Sequence, residues 1–390
     1  MKARLDTPLS CTVTCSSMLV RRSFQFSLRP TKKQAKVLQC QLDECRWLYN
    51  ELLEQRKNVY KKSEECISKY QQINTLPNLK EIRKSLGCVH SQVLQNVVDR
   101  LDKAFQGFFR RCKAGEKPGF PRFRGVHRYN SLCYPQSGFS IVNGELKLSK
   151  IGSIRIKTHR PIAGEIKTCT LRKNASGDWI VSLSCMVDAK ELPTIDESVG
   201  IDVGLTHFAV LSNGEKIANP RFFQKGEKKL AKAQKKLSEL KKGSKERGKQ
   251  GKVVAKTHAK ISAQRKDFCH KESKKIIDRY QFICIEDLDV KRMIEGSPLA
   301  KKIVDASWSQ FRQFLTYKAE DAGRKLGLAN PAYTTQTCNQ CGNRKQKALR
   351  EREHCCTECG YCTDRDHNAA QNILALGIDG LGATPRSLRL

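Results

Sequence analysis

The sequence predicts an α+β chain of more than one domain. Three observations point there. Between residues 32 and 112, apolar side chains recur every three or four positions, the period of helices. Between 138 and 188, short alternating runs are punctuated by turn residues, the pattern of antiparallel strands. From Ser198 onward, apolar strand-like runs end in carboxylates, and two Cys-x-x-Cys pairs follow. The 390 residues, of which 39% are hydrophobic, suffice for two or three domains with real cores.

Charge narrows the class. Lys and Arg outnumber Asp and Glu by 73 to 39, a net charge of +34. Such self-repulsion does nothing for folding, and its natural counterpart is a polyanion. Counterion release makes DNA or RNA the expected partner. An anionic membrane is the weaker rival, because no apolar run is long enough to span a bilayer. Most of the 18 cysteines stand singly in apolar or helical stretches, as Cys40, Cys45, Cys185 and Cys284 do. The N-terminus lacks the continuous apolar core of a signal peptide. Thiols packed as small hydrophobes in a reducing cytosol fit this usage. Residues 1–18 read as a disordered extension, with Met18 as an alternative start.

Residues 19–28 alternate as a strand, and Pro30-Thr31 opens a helix through about Lys62. Tyr60 to Thr75 is polar and reads as a loop. A second helical stretch covers Leu76 to Cys112. Lys113 to Gly125 is too rich in Pro and Gly for helix. Its Lys117, Phe120, Arg122, Phe123 and Arg124 either form a plain surface loop or meet a phosphate backbone and unstacked bases. Gly138–Leu148 reads as a hairpin with an Asn-Gly turn. Runs at 152–157, 165–172 and 179–187 complete a small antiparallel barrel or sheet that takes in strand 19–28. A strand meander follows at 199–217. Residues 221–275 are dominated by Lys and Arg, Lys228, Lys235, Lys236 and Arg265 among them. They read as a helical hairpin broken between Gly243 and Gly251, and their charge favours nucleic-acid contact over a merely solvated helix pair. A strand at 282–286 and a helix from about Val304 to Leu326 come next.

Asp202 ends one apolar strand, Glu286 ends another, and Asp366 opens a helix that would pack on the same sheet through Ala369, Ala370, Ile373 and Leu374. Singly, each acid also fits a bland role: a turn cap at Asp202, a solvated pair at Glu286 and Asp287, helix caps at Asp364 and Asp366. Together they fit a shared metal site. Three converging carboxylates repel one another unless cations neutralise them, and oxygen ligands suit Mg²⁺ or Mn²⁺. Two such ions about 3.5–4 Å apart activate a water and stabilise a leaving 3′ oxygen. Cys338, Cys341, Cys356 and Cys359 have the spacing of a closed four-thiolate structural Zn²⁺ site, with paired redox thiols as the alternative. Cys355 could replace Cys356 as a ligand. Arg344 and Lys345 lie in a basic stretch between the pairs.

In order and combination, several segments resemble the TnpB family, also called OrfB: transposon-encoded relatives of the type V CRISPR nucleases. They are Arg29-Pro-Thr31, Tyr49-Asn50, Pro118-Gly-Phe-Pro-Arg-Phe123, Gly200-Ile-Asp-Val-Gly204, Arg265-Lys-Asp-Phe-Cys-His-Lys271, Ile285-Glu-Asp-Leu288, the four cysteines and Asp364-Arg-Asp-His-Asn-Ala-Ala370. The resemblance implies an RNase H-like, RuvC-type nuclease domain at 196–330 and 363–380. A zinc-finger insert would occupy 331–362, a wedge-like β-barrel 19–30 and 131–190, and a helical recognition insert 31–130, with a tail at 381–390. It implies Asp202, Glu286 and Asp366 as catalytic metal ligands, with Asp364 a capping neighbour. A guide RNA from the transposon end and double-stranded target DNA are the implied partners, in a cytoplasmic, nucleoid-associated setting. The intact acids weigh against one rival reading, a regulator that uses guide RNA without cutting; co-purified RNA is what distinguishes the other, a DNA-binding transposition factor that needs no RNA.

Overall fold

The computed structural model describes residues 19–380 except 127 and 349. The expected N-terminal extension and the tail at 381–390 therefore lie outside the described residues. The chain divides into two compact units, one ending at Asp188 and one starting at Ala189.

The first unit begins with β1 (Leu19–Arg29), whose alternation buries Phe24, Phe26 and Leu28. Helix α1 (Lys32–Ser63) opens with a reciprocal capping box between Thr31 and Gln34. The expected loop after it holds a short helix, α2 (Lys69–Asn74), started by a second capping box at Ser68. The expected single helix over 76–112 is broken into α3 (Leu76–Ile82), a 3₁₀ turn at Lys84–Cys88 and α4 (Ser91–Lys113). His90 sits in extended backbone, and its ring accepts the Gln92 N–H, so α4 has its own start. The apolar period runs on across the break because both halves face one core.

Strands β2 (Ser131–Tyr134), β3 (Phe139–Val142), β4 (Glu145–Leu148), β5 (Gly152–Lys157), β6 (Glu165–Lys173) and β7 (Trp179–Asp188) join β1 in one antiparallel, barrel-like sheet. Its order is β2-β6-β7-β1-β5-β4-β3, so the first strand of the chain lies at the centre. The β3–β4 hairpin turns at Asn143-Gly144, both in the left-handed region, as a two-residue hairpin loop requires.

The second unit holds a five-stranded sheet of order β10-β9-β8-β11-β12. Strands β8 (Ser198–Val203), β9 (His207–Leu211) and β10 (Lys216–Ala218) form the antiparallel meander, while β11 (Phe282–Glu286) runs parallel to β8 and to β12 (Lys325–Ala329). Between β10 and β11 lie α5 (Phe222–Glu239) and α6 (Lys245–Arg279). The break between them is narrower than expected. Gly243 makes the turn and Ser244 caps α6, while Gly248 and Gly251 lie inside the helix. After a short α7 (Val290–Ile294), the expected helix over 304–326 is instead the end of α8 (Ala300–Ala306), then α9 (Trp308–Ala322) and the start of β12. Left-handed Ser307 separates α8 from α9, and left-handed Gly323 stops α9 so that the chain can return as a strand. A small hairpin, β13 (Glu353–Cys355) and β14 (Cys362–Asp364), precedes α10 (Arg365–Gly380).

The two faces of this sheet differ. Val199, Ile201, Ile283 and Ile285 pack with Ile276, Phe311 and Leu315 of α6 and α9. The opposite face receives α10, through Cys284, Ala329, Ile373 and Ile378. Helix and strand come unusually close there. A Cβ on Gly200 would lie 2.0 Å from the Ala370 carbonyl oxygen, and one on Gly377 would lie 2.5 Å from the Cys284 sulfur. Gly200→Ala is therefore expected to push α10 off the sheet and to lower stability by about 3 kcal/mol, at the high end for overpacking. Thermal melting checks this; an unchanged midpoint would contradict the close approach.

Candidate active site and metal centre

Side chains alternate across a sheet, so Asp202 shares the α10 face with Gly200, and Glu286 shares it with Cys284. Ile201 of β8 is the register partner of Ile285 of β11, which makes the two acids neighbours just beyond the same rung. Ala370 of α10 sits against Gly200. Asp366 stands four residues before Ala370 on the same helix, and its charge acts on Asp202. The glycine contact thus holds the helix that bears the third acid against the strand that bears the first.

The electrostatics agree with this placement. Asp202 and Glu286 are buried, each 8% exposed. Burial, then the charges of Glu286 and Asp366, hold the Asp202 carboxyl well above the usual carboxylate range. Burial also raises Glu286, opposed by a hydrogen bond from the Thr334 hydroxyl. Among the described residues, only the four cysteines form a group of three or more candidate ligands with atoms all within 4.8 Å. The acids are spread more widely, as mutually repelling carboxylates are. Two of them buried, the third partly so, and with few donors around them, they are suited to hard divalent cations.

Neighbouring acids are otherwise engaged. Asp287 pairs with Arg312. Asp364 accepts the Asp366 N–H at 2.8 Å and pairs with Lys216 at 2.5 Å. Despite burial, which acts the other way, these partners keep its carboxyl below the usual range. Asp364 thus caps α10, while the charge of Asp366 acts on Asp202. Two side chains here had no strong signal in the sequence. Thr334 reaches Glu286, and Arg352 lies 3.9 Å from Asp366 and 3.2 Å from Thr206. Arg352 stood out only as one basic residue among several between the cysteine pairs.

The four cysteines meet as two matched knuckles. Left-handed Gly342 and Gly360 turn each one, and their N–H groups reach the carbonyls of Cys338 and Cys356. The Cys338–Cys359 and Cys341–Cys356 sulfurs are 3.7 and 3.5 Å apart. Four sulfurs around one Zn²⁺ at about 2.3 Å would be about 3.8 Å apart, so the cage fits that ion. Cys355 is not in it. Adjacent residues of an extended strand point opposite ways, and Cys355 is disulfide-bonded to Cys362, its partner across β13–β14. This pair departs from the expectation that cysteines outside the cage remain thiols.

The expected nucleic-acid residues fall into three places. In the first unit, Lys117, Phe120, Arg122, Phe123 and Arg124 are exposed on the 113–125 loop. The loop is nonetheless anchored. Asn50 exchanges two hydrogen bonds with the Arg124 backbone, at 2.7 and 3.0 Å, and Phe120 packs edge-on against Phe105 and Phe108. In the second unit, Lys228, Lys235 and Lys236 are exposed on α5. Arg265 is half-buried and donates to the Val304 carbonyl, so part of its guanidinium is committed to holding α8. In the finger, Arg344 stacks over Tyr333 at 3.7 Å, and the Lys345 N–H bonds to Gln336.

Three antiparallel strands extended by two parallel ones, crossed by a helix carrying an acid, define an RNase H-like nuclease fold of the RuvC type, here with a four-cysteine insert. Comparison with known proteins agrees. Residues 182–296 match the family OrfB_IS605, described as "Probable transposase", residues 308–373 match "Cas12f1-like, TNB domain", and residues 18–65 match the "Helix-turn-helix domain" of the OrfB group. A "Putative RNA-guided DNA endonuclease" of Streptomyces pristinaespiralis is 35% identical over 367 residues, spanning 92% of this chain and 90% of that protein. The "Putative RNA-guided DNA endonuclease InsQ" of Escherichia coli (strain K12) is 29% identical over 376 residues, spanning 91% of this chain and 92% of that protein. The Cas12f1 chain of a Cas12f1–sgRNA–target DNA complex shares the fold, with a TM-score of 0.58 at 15% identity, covering 88% of this chain and 83% of that one. The chain belongs to the TnpB (OrfB) family.

Proposed function

We propose that this protein is an RNA-guided, metal-dependent DNA endonuclease that hydrolyses phosphodiester bonds at Asp202, Glu286 and Asp366 by a two-metal mechanism. The observation that carries this reading is the gathering of the three acids on one face of one sheet, each delivered by a different element. Bound Mg²⁺ or Mn²⁺ supplies Lewis-acid stabilisation and an activated water. The protein's part is to hold three carboxylates at a fixed spacing and to place Arg352, a permanent cation, beside Asp366. Zn²⁺ in the cage of Cys338, Cys341, Cys356 and Cys359 is structural, since four thiolates leave no open position.

The full-length homologues named as RNA-guided endonucleases support a guide RNA and double-stranded target DNA as partners. The charge of +34 supports a large phosphate-contact surface. No helix among the described residues is long and apolar enough to cross a membrane. The exposed loop at 113–125, the basic face of α5 and the finger's Arg344 and Lys345 are the proposed contacts.

The test is cleavage of supercoiled plasmid by protein co-expressed with the downstream transposon sequence. Matching DNA should be cut when Mg²⁺ is supplied and left intact when it is omitted. Equal cutting by protein freed of RNA would overturn the guided reading. Affinity for nucleic acid should fall by about 10³-fold or more between 50 and 200 mM salt, as for proteins making several phosphate contacts. Asn50→Ala, which frees the 113–125 loop, should weaken binding about fivefold to tenfold, the equivalent of about 1–1.4 kcal/mol at a hydrogen-bonded anchor. A filter-binding titration of each protein measures both effects.

A further inference from the structure

Glu286 receives one side-chain hydrogen bond among the described residues, and it comes from outside the sheet. Thr334 is 3% exposed, and its hydroxyl donates to Glu286 Oε1 at 2.6 Å. The same hydroxyl is 3.3 Å from the Pro331 carbonyl. A hydroxyl has one proton, and the shorter contact to an acid takes it. The backbone of Thr334 is itself held. Asn372 of α10 donates to the Thr334 carbonyl at 2.8 Å and to the Thr337 carbonyl at 2.7 Å. One turn earlier, Asn368 donates to the Thr337 carbonyl at 2.7 Å and accepts the Asn339 N–H at 3.0 Å. Asn339 lies inside the first cysteine knuckle, and Asp366 lies two residues before Asn368.

These contacts form one continuous path from the knuckle, through two buried asparagines of the acid-bearing helix, to a second acid on β11. The terminal torsion of a glutamate is broad and roughly two-fold, so burial alone does not fix where its oxygens point. A hydrogen bond to one oxygen does fix it, and leaves the other oxygen to face the site.

We propose that Thr334 is the positioning residue for Glu286, with Asn372 and Asn368 setting its place relative to Asp366. The proposal rests on the reading of the three acids as a divalent-cation site. Hydrogen-bonding partners behind a metal ligand commonly govern affinity by about 10–100-fold.

The test uses full-length, zinc-loaded protein without nucleic acid. Mn²⁺ binding is followed by the loss of the free-ion paramagnetic resonance signal, alongside zinc content and thermal melting. Thr334→Val, which keeps the shape and removes the donor, should weaken Mn²⁺ about tenfold, while Thr334→Ser should stay within about twofold of the parent. Half-saturating Mg²⁺ for cleavage should rise in the same order. Thr334→Ala is the second donorless variant, measured if the Val protein loses its cooperative melt. Parental Mn²⁺ affinity in a folded donorless variant would overturn the proposal, as would a Ser protein as weak as the donorless one with its zinc retained. Asp202→Ala is the separate control. If it binds Mn²⁺ as the parent does, the cation site itself is refuted; if it alone loses Mn²⁺, only the role of Thr334 is.

Discussion

Asp202→Ala should cut DNA at least about 10³-fold more slowly than the parent, a loss of about 4 kcal/mol of transition-state stabilisation. Asp202 is the most crowded of the three acids, and both other acids act on it. Without it, a cation loses a ligand that no neighbour can replace, because Asp364 and Asp287 are committed to Lys216 and Arg312. Asp202→Asn should be equally inactive, yet more stable than the parent when Mg²⁺ and Mn²⁺ are withheld. A carboxyl whose folded pKa is raised holds its proton more tightly in the folded state. Its contribution to stability is full below its unfolded value, about pH 4, and is lost as pH rises through the raised folded value. At neutral pH the metal-free parent therefore carries a penalty that the amide lacks. Each kcal/mol relieved should raise the melting midpoint by about 2–4 °C, with the gap between the two proteins smaller at pH 5 than at pH 8. A melt in which the Asn protein is the less stable at pH 8 would argue against the buried, mutually repelling site.

Cys338→Ser should release zinc and abolish cleavage at 37 °C, although Cys338 itself touches no acid. Free energies of about 10–16 kcal/mol accompany zinc binding by small finger peptides, so one missing thiolate unfolds most such sites. Here the consequence spreads, because Asn339 beside it is bonded to Asn368 and Asn372 on the acid-bearing helix. Cys40→Ser, at an exposed cysteine of α1, should leave zinc content and cleavage unchanged. Plasma mass spectrometry for zinc and a plasmid assay read both. Full cleavage by a zinc-free Cys338→Ser protein would separate the finger from the nuclease.

What could be read in the sequence was what local chemistry dictates. Asn143-Gly144 announces its hairpin because few other pairs accept two left-handed residues. The cysteine spacing announces its cage because tetrahedral thiolate ligation tolerates few alternatives. The acids stand out because charges at the ends of apolar strands need a reason, and the family resemblance implies one shared metal site for them. Partners chosen by tertiary contact were hidden. Thr334 looks like any threonine in a turn until β11 is placed behind it. The helical period runs on into strand β12, since Leu326 continues the apolar spacing of α9 and only the left-handed Gly323 ends it. Arg265 shows the converse, a cation singled out for its charge that is partly occupied by the Val304 carbonyl.

The order of these pieces along the chain has a consequence for a protein being made on a ribosome. Both strand acids and the whole five-stranded sheet are encoded before residue 330, whereas Asp366 arrives only with α10, after the finger. At about 5–20 residues per second, the sheet can emerge and begin to pack seconds before its third acid exists. In the finished fold Gly200 and Gly327 are the points where α10 lies closest on that sheet. On the proposed reading, a nuclease built in this order would stay unarmed until α10 is in place.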